Sequence, residues 1–346
     1  MSRPCEVLIL GAAYGSLLAT KLAAAGHNAR LVCLPATAEL INREGTRVRM
    51  PRKGRDPMEI DSRSLPGSVR ATSPSGADPA AHDLVVLAMQ EPQYGAPGVR
   101  ELLDRVAKAG VPCLSLMNMP PPPYVRRLPG VPSDHLQGCY TDATVWYGFA
   151  PEAMTLCSPD PQALRPAGGP RNHLNVTLPT NFKVARFASD EHTAMLRRLE
   201  ADIDAVDLPV KLKVHESLFV PLAKWAMLLT GNYRCITAGS TRPIREAVHD
   251  DPEASCAIYE WVSNLCIALG ARVDDLVPFE KYAAAAAGLA APSSAARALF
   301  AGASYIERVD KLVQTIAAEC GMRNRAVDEI VALVDERLAL NRRVAA

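Results

Sequence analysis

Three places along the chain combine residue types and spacing that can do chemistry on a small molecule. One is Lys224, set in the apolar run LFVPLAKWAMLLT, where helical spacing surrounds it with Leu222, Ala223, Trp225, Ala226, Leu228 and Leu229. A lone lysine on a helix ordinarily carries its ammonium out to water. Held among apolar neighbours it loses hydration, its pKa falls, and it suits donation of a proton to a developing alkoxide. A second is Asn118, just after the apolar run 112–117. An amide there can orient a carbonyl group without titrating; the plain alternative is an asparagine capping the turn into the prolines at 120–123. The third is the turn GAAYGS at 11–16, whose small residues let backbone N–H groups approach an anion at a helix N-terminus. A G-x-G-x-x-G fingerprint set on Gly15 has its other two positions at Leu10 and Ala12, so only its last glycine is present, with Gly11 inside the turn.

The elements that must position these residues alternate. Glu6–Leu10 reads as a buried strand, 15–25 as a helix closed by Gly26, and 29–34 as a second strand stopped by Pro35. Strand, short turn, helix and strand in such close succession make a right-handed βαβ crossover. A helix over 37–43 follows, then a polar stretch to Ala81, an apolar strand at 84–89, a helix over Val99–Ala109 and the strand at 112–117. This alternation predicts an α/β fold with a doubly wound parallel sheet of Rossmann type. Between 140 and 187 the periodicity weakens, and irregular or antiparallel strands are expected. From Asp190 onward the spacing is helical, over 192–205, 216–230, 254–269, 295–320 and 325–342. The expected organisation is a dinucleotide-binding domain over 1–207 and a mainly helical substrate and dimerisation domain over 208–346.

Composition narrows the function classes. The 38 Lys and Arg against 37 Asp and Glu leave no charge excess that would point to nucleic acid or an anionic membrane. No run approaches the ~20 apolar residues that a membrane span needs. The apolar start at 7–13 reads as strand and turn rather than as a secretory signal, because an amphipathic helix continues it, and a cytoplasmic location is expected. The nine cysteines form no C-x-x-C pair and keep no company with the histidines. That pattern argues against a metal site and for reduced thiols serving as small core residues.

Four segments of the chain resemble the ketopantoate reductase family. They are LILGAAYGSLLATKLAAAGHNARLVC with AELINREGTRVR after it; DLVVLAMQEPQY with LSLMNMPPP; HESLFVPLAKWAMLLTGN; and PSSAARALFAGASYIERVDKLVQTIAAECGM. They occur in the family's order and leave out the middle, 140–187. The resemblance implies a Rossmann-type domain followed by a helical domain like the C-terminal one of 6-phosphogluconate dehydrogenase. It also implies NADP as cofactor, with NAD as the alternative, a small-molecule substrate and a homodimer.

Carried over residue by residue, the resemblance makes Lys224 the general acid that protonates a ketone oxygen, Asn118 a holder of cofactor and substrate, and Glu307 a partner acid. Asn232 and Ser294 would bind the substrate's carboxylate or hydroxyl groups. Gly11, Ala12, Ala13, Tyr14, Gly15, Ser16, Leu34, Met89, Gln90 and Asn118 would line the cofactor. Four features depart from the family. The glycine fingerprint is eroded, Leu34 stands where the family has an arginine for the 2′-phosphate of NADPH, Gln90 where it has a lysine, and Leu228 where it has the first of two asparagines after the lysine. Arg43, Arg52 and Lys53 are basic residues further along that could reach a phosphate instead. An apolar wall at Leu228 turns the expectation from ketopantoate itself to a bulkier or less polar 2-oxo acid or related carbonyl, reduced with NADPH or NADH. An opine-type or imine-reducing dehydrogenase is one alternative. A Rossmann-type protein that senses a dinucleotide without turnover is another, against which the retained Lys224 and Asn118 argue.

Overall fold

The computed structural model describes residues 3–52, 54–131 and 135–345; Lys53 lies outside them. The described residues divide into two compact units, one made of Met1–Met89, Gln93–Tyr124 and Thr144–Glu216, the other of Gln90–Pro92, Val125–Ala143 and Ser217–Ala346.

The first unit is built on β1 (Glu6–Leu10), whose Val7, Leu8, Ile9 and Leu10 are fully buried. A strand apolar on both faces must lie between neighbours with helices above and below, which is the situation of a central parallel strand. β1 pairs in parallel with β2 (Asn28–Val32) on one side and with β6 (Leu84–Leu87) on the other. The remaining strands are β3 (Arg47–Arg52), β4 (Arg55–Asp61), β5 (Val69–Thr72), β7 (Cys113–Leu116), β8 (Met154–Ser158), β9 (Gln162–Leu164), β10 (His173–Leu178), β11 (Phe182–Ala185) and β12 (Leu212–His215). Among the described residues they form an eight-stranded sheet, β12-β11-β8-β7-β6-β1-β2-β5, and a four-stranded one, β4-β3-β10-β9. The large sheet is parallel except where β11 meets β8. From β1 the chain runs outward to β2 and β5, then returns to β6 on the opposite side. The strand order therefore reverses between β1 and β6, and the crevice at their carboxyl ends is where such sheets bind ligands.

Several expectations need correction. The polar stretch before Ala81 holds β3, β4 and β5, whose alternating exposure was hidden by the arginines on their outer faces. The expected boundary at 207/208 falls short of β12, which completes the edge of the large sheet against β11. The prolines at 120–123 do not remain a plain loop, because Pro122–Val125 turns into a short helix. Proline suits the first positions of a helix, where its missing N–H costs nothing.

The helix Gly15–Ala24 ends at Gly26, whose φ of +87° and N–H to Ala23 close the last turn. Its Lys21 is 1 % exposed and donates from Nζ to the carbonyl oxygens of Leu208 and Pro209, at 3.2 and 3.0 Å. This tether holds the segment that enters β12, beside Val210, a buried residue at a φ of +66°.

The second unit is helical. Its longer helices are Pro252–Ala268, Val309–Glu319 and Arg325–Ala345. The single helix expected over 295–320 is two, Ser294–Phe300 and Val309–Glu319. The first stops because Gly302 takes a φ of +91° and the Asn341 amide donates to the Leu299 and Ala303 carbonyls, at 2.7 and 2.9 Å.

Burial lowers the Lys21 pKa to about 7, aided by the charge of Lys211 and opposed by Asp204. The folded state thus binds fewer protons here than the unfolded chain between about pH 7 and the ordinary lysine range near 10.4. Stability should rise with pH across that window, by at most ~1.4 kcal/mol per pH unit from this group. Lys21→Met should flatten that rise relative to the parent protein, as measured by urea unfolding at pH 7, 8 and 9.

Candidate active site

The turn after β1 is shorter than the expected fingerprint. Leu10 is the last residue of the strand, and Gly11 bears the φ of +111° that a tight exit requires. A Cβ on Gly11 would lie 2.6 Å from the Ala88 carbonyl oxygen and 2.7 Å from Met89 Cγ. Gly15 packs its bare backbone on Ile9, where a Cβ would meet Cγ2 at 2.7 Å. The working spacing is therefore G-x-x-x-G, one residue shorter than the pattern set on Leu10, Ala12 and Gly15. Ala12 is buried, Ala13 is exposed, and Ser16 donates its hydroxyl to the Ala12 carbonyl. Among the described residues the N–H groups of Ala12 and Ala13 meet no protein acceptor. Small residues, free N–H groups and a helix start at the carboxyl end of β1 fit the pyrophosphate of a dinucleotide. Tyr14 points away from such a ligand, its hydroxyl donating to the Pro161 carbonyl at 2.6 Å and its ring standing edge-on to Phe182.

Met89 joins this site by its contact with Gly11, and its N–H donates to the Tyr94 hydroxyl at 3.1 Å. Asn118, two residues beyond β7 and half-buried, sits at the carboxyl edge of the same sheet. Gln90 is exposed and groups with the helical unit.

At the end of β2, Cys33 donates its N–H to the Thr72 carbonyl, and Leu34 is the 65 % exposed N-cap of the helix Pro35–Glu44. Of the three basic residues anticipated for a phosphate, Lys53 lies outside the described residues and the other two have partners. Arg43 is paired with Glu44, and Arg52 donates to the Asp56 carbonyl. Arg165 and Arg171 lie on the β9–β10 loop, RPAGGPR.

In the helical unit the run bearing Lys224 is not one α-helix. Val220–Ala223 is a 3-10 turn, Lys224–Met227 is α-helical, and Leu228–Tyr233 is a π-helix. Such insertions recur at functional sites because they change which side chains share a face. Lys224, Met227 and Asn232 are half-buried, while the other residues of 221–233 are buried. Their spacing of three and then five suits an α-turn followed by a π-turn, so Asn232 comes to the side of Lys224. Lys224 is thus not fully enclosed as its neighbours had suggested. Leu228 is only 4 % exposed and packs into the unit's interior, so the apolar wall expected there is not offered to a ligand; Met227 takes its place on the open side.

The π-turn has its own support. The Met227 carbonyl accepts from the Tyr282 hydroxyl at 3.0 Å, and a Cβ on Gly231 would lie 2.0 Å from that oxygen. Ser293, rather than Ser294, caps the helix Ser294–Phe300, accepting from the Ala296 N–H and donating to the Asn232 carbonyl at 2.7 Å. Ser294 is exposed at the first helical position beside it. Asn232 and the serine pair are therefore brought together.

Glu307 lies between the two helices rather than within one. It is 8 % exposed, and its carboxylate accepts the Glu91 N–H at 3.3 Å. Glu91 is itself buried, accepting from the Thr141 N–H and hydroxyl at 3.0 and 2.8 Å, and burial raises its pKa. Tyr233, the last residue of the π-turn, donates to the Glu307 carbonyl and accepts from the Val309 N–H. The structure thus ties Glu307 to the end of the lysine helix through its backbone and to the 90–92 segment through its carboxylate.

No protein-family model matches the sequence, and no curated relative is found. The fold is nevertheless that of solved structures. A ketopantoate reductase from Ralstonia eutropha JMP134 superposes with a TM-score of 0.63 at 17% identity, covering 97% of this chain and 99% of that one. A 2-dehydropantoate 2-reductase from Methylococcus capsulatus gives a TM-score of 0.64 at 13% identity, over 97% of this chain and 98% of that one. D-mandelate dehydrogenase in its ternary structure with NADH and anilino(oxo)acetate gives a TM-score of 0.64 at 13% identity, over 97% and 99% of the two chains. The likeness establishes a Rossmann-type domain followed by a helical one.

The tight fit at Gly231 sets a test of the π-turn. Gly231→Ala should destabilise the protein by about 1–3 kcal/mol through overpacking against Tyr282. Adding Tyr282→Phe removes the obstructing oxygen and should recover part of that loss, a non-additivity read from thermal melts of the two single variants and the double.

Proposed function

We propose that the chain is an NAD(P)H-dependent reductase of a small 2-oxo acid or related ketone. The observation that carries the reading is the face of Lys224, Met227 and Asn232. It presents one ammonium group, one apolar side chain and one amide on the half-buried side of the run that contains the π-turn. The turn at Gly11–Ala13, with the Ala12 and Ala13 N–H groups meeting no protein acceptor among the described residues, supports the dinucleotide part. Fold likeness to ketopantoate reductases and to a D-mandelate dehydrogenase solved with NADH supports the substrate class.

In this reading a bound nicotinamide supplies hydride to the carbonyl carbon. Lys224 donates a proton from Nζ to the carbonyl oxygen, so that no free alkoxide has to form. Asn232 and Ser294 hydrogen-bond the neighbouring carboxylate, and Met227 gives apolar contact that favours a substrate with a hydrocarbon substituent over a hydroxylated one. Gly11, Ala12, Ala13, Gly15, Ser16 and Met89 would hold the dinucleotide, and Asn118 would orient its reactive end. Glu307 acts as a positioning residue, because its carboxylate is committed to the Glu91 amide.

The reading is tested by titrating NADPH and NADH while following cofactor fluorescence, then screening 2-oxo acids by loss of absorbance at 340 nm. Lys224→Ala should lower kcat by about 10²–10⁴-fold with cofactor affinity unchanged. Asn232→Ala should act mainly on KM. Cofactor binding with no turnover across the panel, unaltered by Lys224→Ala, would instead favour a dinucleotide sensor.

A further inference from the structure

In an unbroken α-helix two residues eight apart are rotated by about 80° around the axis, so Lys224 and Asn232 would face different directions. A turn that holds one extra residue takes back about 100°, which leaves them within about 20° of one side. Burial agrees with the second arrangement. Of residues 221–233, Lys224, Met227 and Asn232 are half-buried and the rest are buried. An ammonium group and an amide therefore share a side because of the extra residue. A π-turn has poorer internal bonding than an α-turn, so a group outside the run must favour it.

That group is Tyr282, on the neighbouring helix Phe279–Ala286. Its hydroxyl donates to the Met227 carbonyl at 3.0 Å, the acceptor that an α-helix would offer to the Gly231 N–H. The hydroxyl lies against the bare Cα of Gly231, where a Cβ would stand 2.0 Å from its oxygen. A side chain inserted into the ladder in this way opens the turn. The far end of the turn is held as well. The Ile236 N–H donates to the Tyr233 carbonyl, which leaves the Asn232 carbonyl to accept from the Ser293 hydroxyl at 2.7 Å. The two carbonyls taken by outside hydroxyls thus belong to Met227 and Asn232, the residues that share the open side with Lys224. Tyr282 is itself fixed, being buried with its ring stacked on Tyr259 at 5.4 Å between centroids.

We propose that Tyr282 is a positioning residue for substrate binding, its hydroxyl setting the register that brings the Asn232 amide to the side of Lys224. This rests on the reading above, in which Asn232 hydrogen-bonds the substrate's carboxylate. Without the hydroxyl the Met227 carbonyl returns to the Gly231 N–H and the run closes to α-helical spacing. Asn232 then turns away, while Lys224, which precedes the turn, keeps its place. Loss of the hydroxyl acts on carboxylate binding and spares proton donation.

The test is a double-variant cycle in steady-state kinetics, with the best 2-oxo acid of the panel and saturating reduced cofactor. Tyr282→Phe keeps the stacked ring and removes only the hydroxyl, and Asn232→Ala removes the amide. Each should raise KM by about 10-fold with kcat within about 2-fold of the parent protein. The double variant should match Asn232→Ala alone rather than reach about 100-fold. Tyr259→Phe is the control for stability, because it breaks the bond to the Val277 carbonyl beneath the same stacked pair. It should lower the melting temperature much as Tyr282→Phe does and leave KM unchanged. A parental KM in Tyr282→Phe, additive effects in the double variant, or an equal rise of KM in Tyr259→Phe overturns the proposal and leaves the reductase reading intact. A parental KM in Asn232→Ala overturns it together with the carboxylate role of that residue. No turnover of any 2-oxo acid by the parent protein overturns both the proposal and the reading.

Discussion

A side chain on Gly11 would drive its Cβ to within 2.6 Å of the Ala88 carbonyl oxygen, and much of the first unit follows from that constraint. β1 is apolar on both faces and hydrogen-bonded to β2 on one side and to β6 on the other. The chain can leave it only through a residue that tolerates both the close approach and a left-handed φ. With the exit fixed at Gly11, the helix must begin at Gly15, because Gly15 also touches Ile9 too closely for a larger residue. The backbone between them is then held open toward the place where the strand order reverses.

A parallel constraint governs the helical unit. The π-turn after Met227 leaves backbone groups out of the usual helical ladder, and a hydroxyl from Tyr282 satisfies one of them. The ring of Tyr282 stacks on Tyr259, which is itself hydrogen-bonded to the Val277 carbonyl at 2.8 Å. Further along, Arg308 and Asp310 form a two-pronged pair at 2.9 and 3.0 Å, with Asp310 fully buried and Asp335 on the guanidinium's other side. Removing one partner of such a pair would strand a buried charge, at a cost of about 3–5 kcal/mol. The pair holds the segment next to Glu307, so the order of the lysine helix and that of the connection after Gly302 are linked through Tyr233.

Much of the fold was legible from periodicity. The strand at Glu6–Leu10, the helix Val99–Ala109 and the alternation that makes the sheet parallel all come from local apolar spacing, which backbone geometry turns directly into strand or helix. The small second sheet was not legible. Its β3 and β4 carry arginines and acids on the outward face, and its pairing of β3 with β10 joins residues far apart in the chain. Glu307 was read as a helical residue because helical spacing continues on both sides of it. The interruption depends on the Asn341 side chain reaching from another helix to carbonyls that would otherwise have continued the ladder.

By itself the sequence determined that a βαβ unit opens the chain, that helices follow it, and which lysine stands alone in apolar company. Those are consequences of neighbouring residues and the periods of 2 and 3.6 that backbone geometry imposes. Only the tertiary structure decided that the turn has G-x-x-x-G spacing, because the choice between Leu10 and Gly11 depends on what β6 places beside them. It also decided that Asn232 shares a side with Lys224, since the π-turn is held by a tyrosine 55 residues beyond Met227. Contacts between distant segments carry these decisions, and no local pattern encodes them.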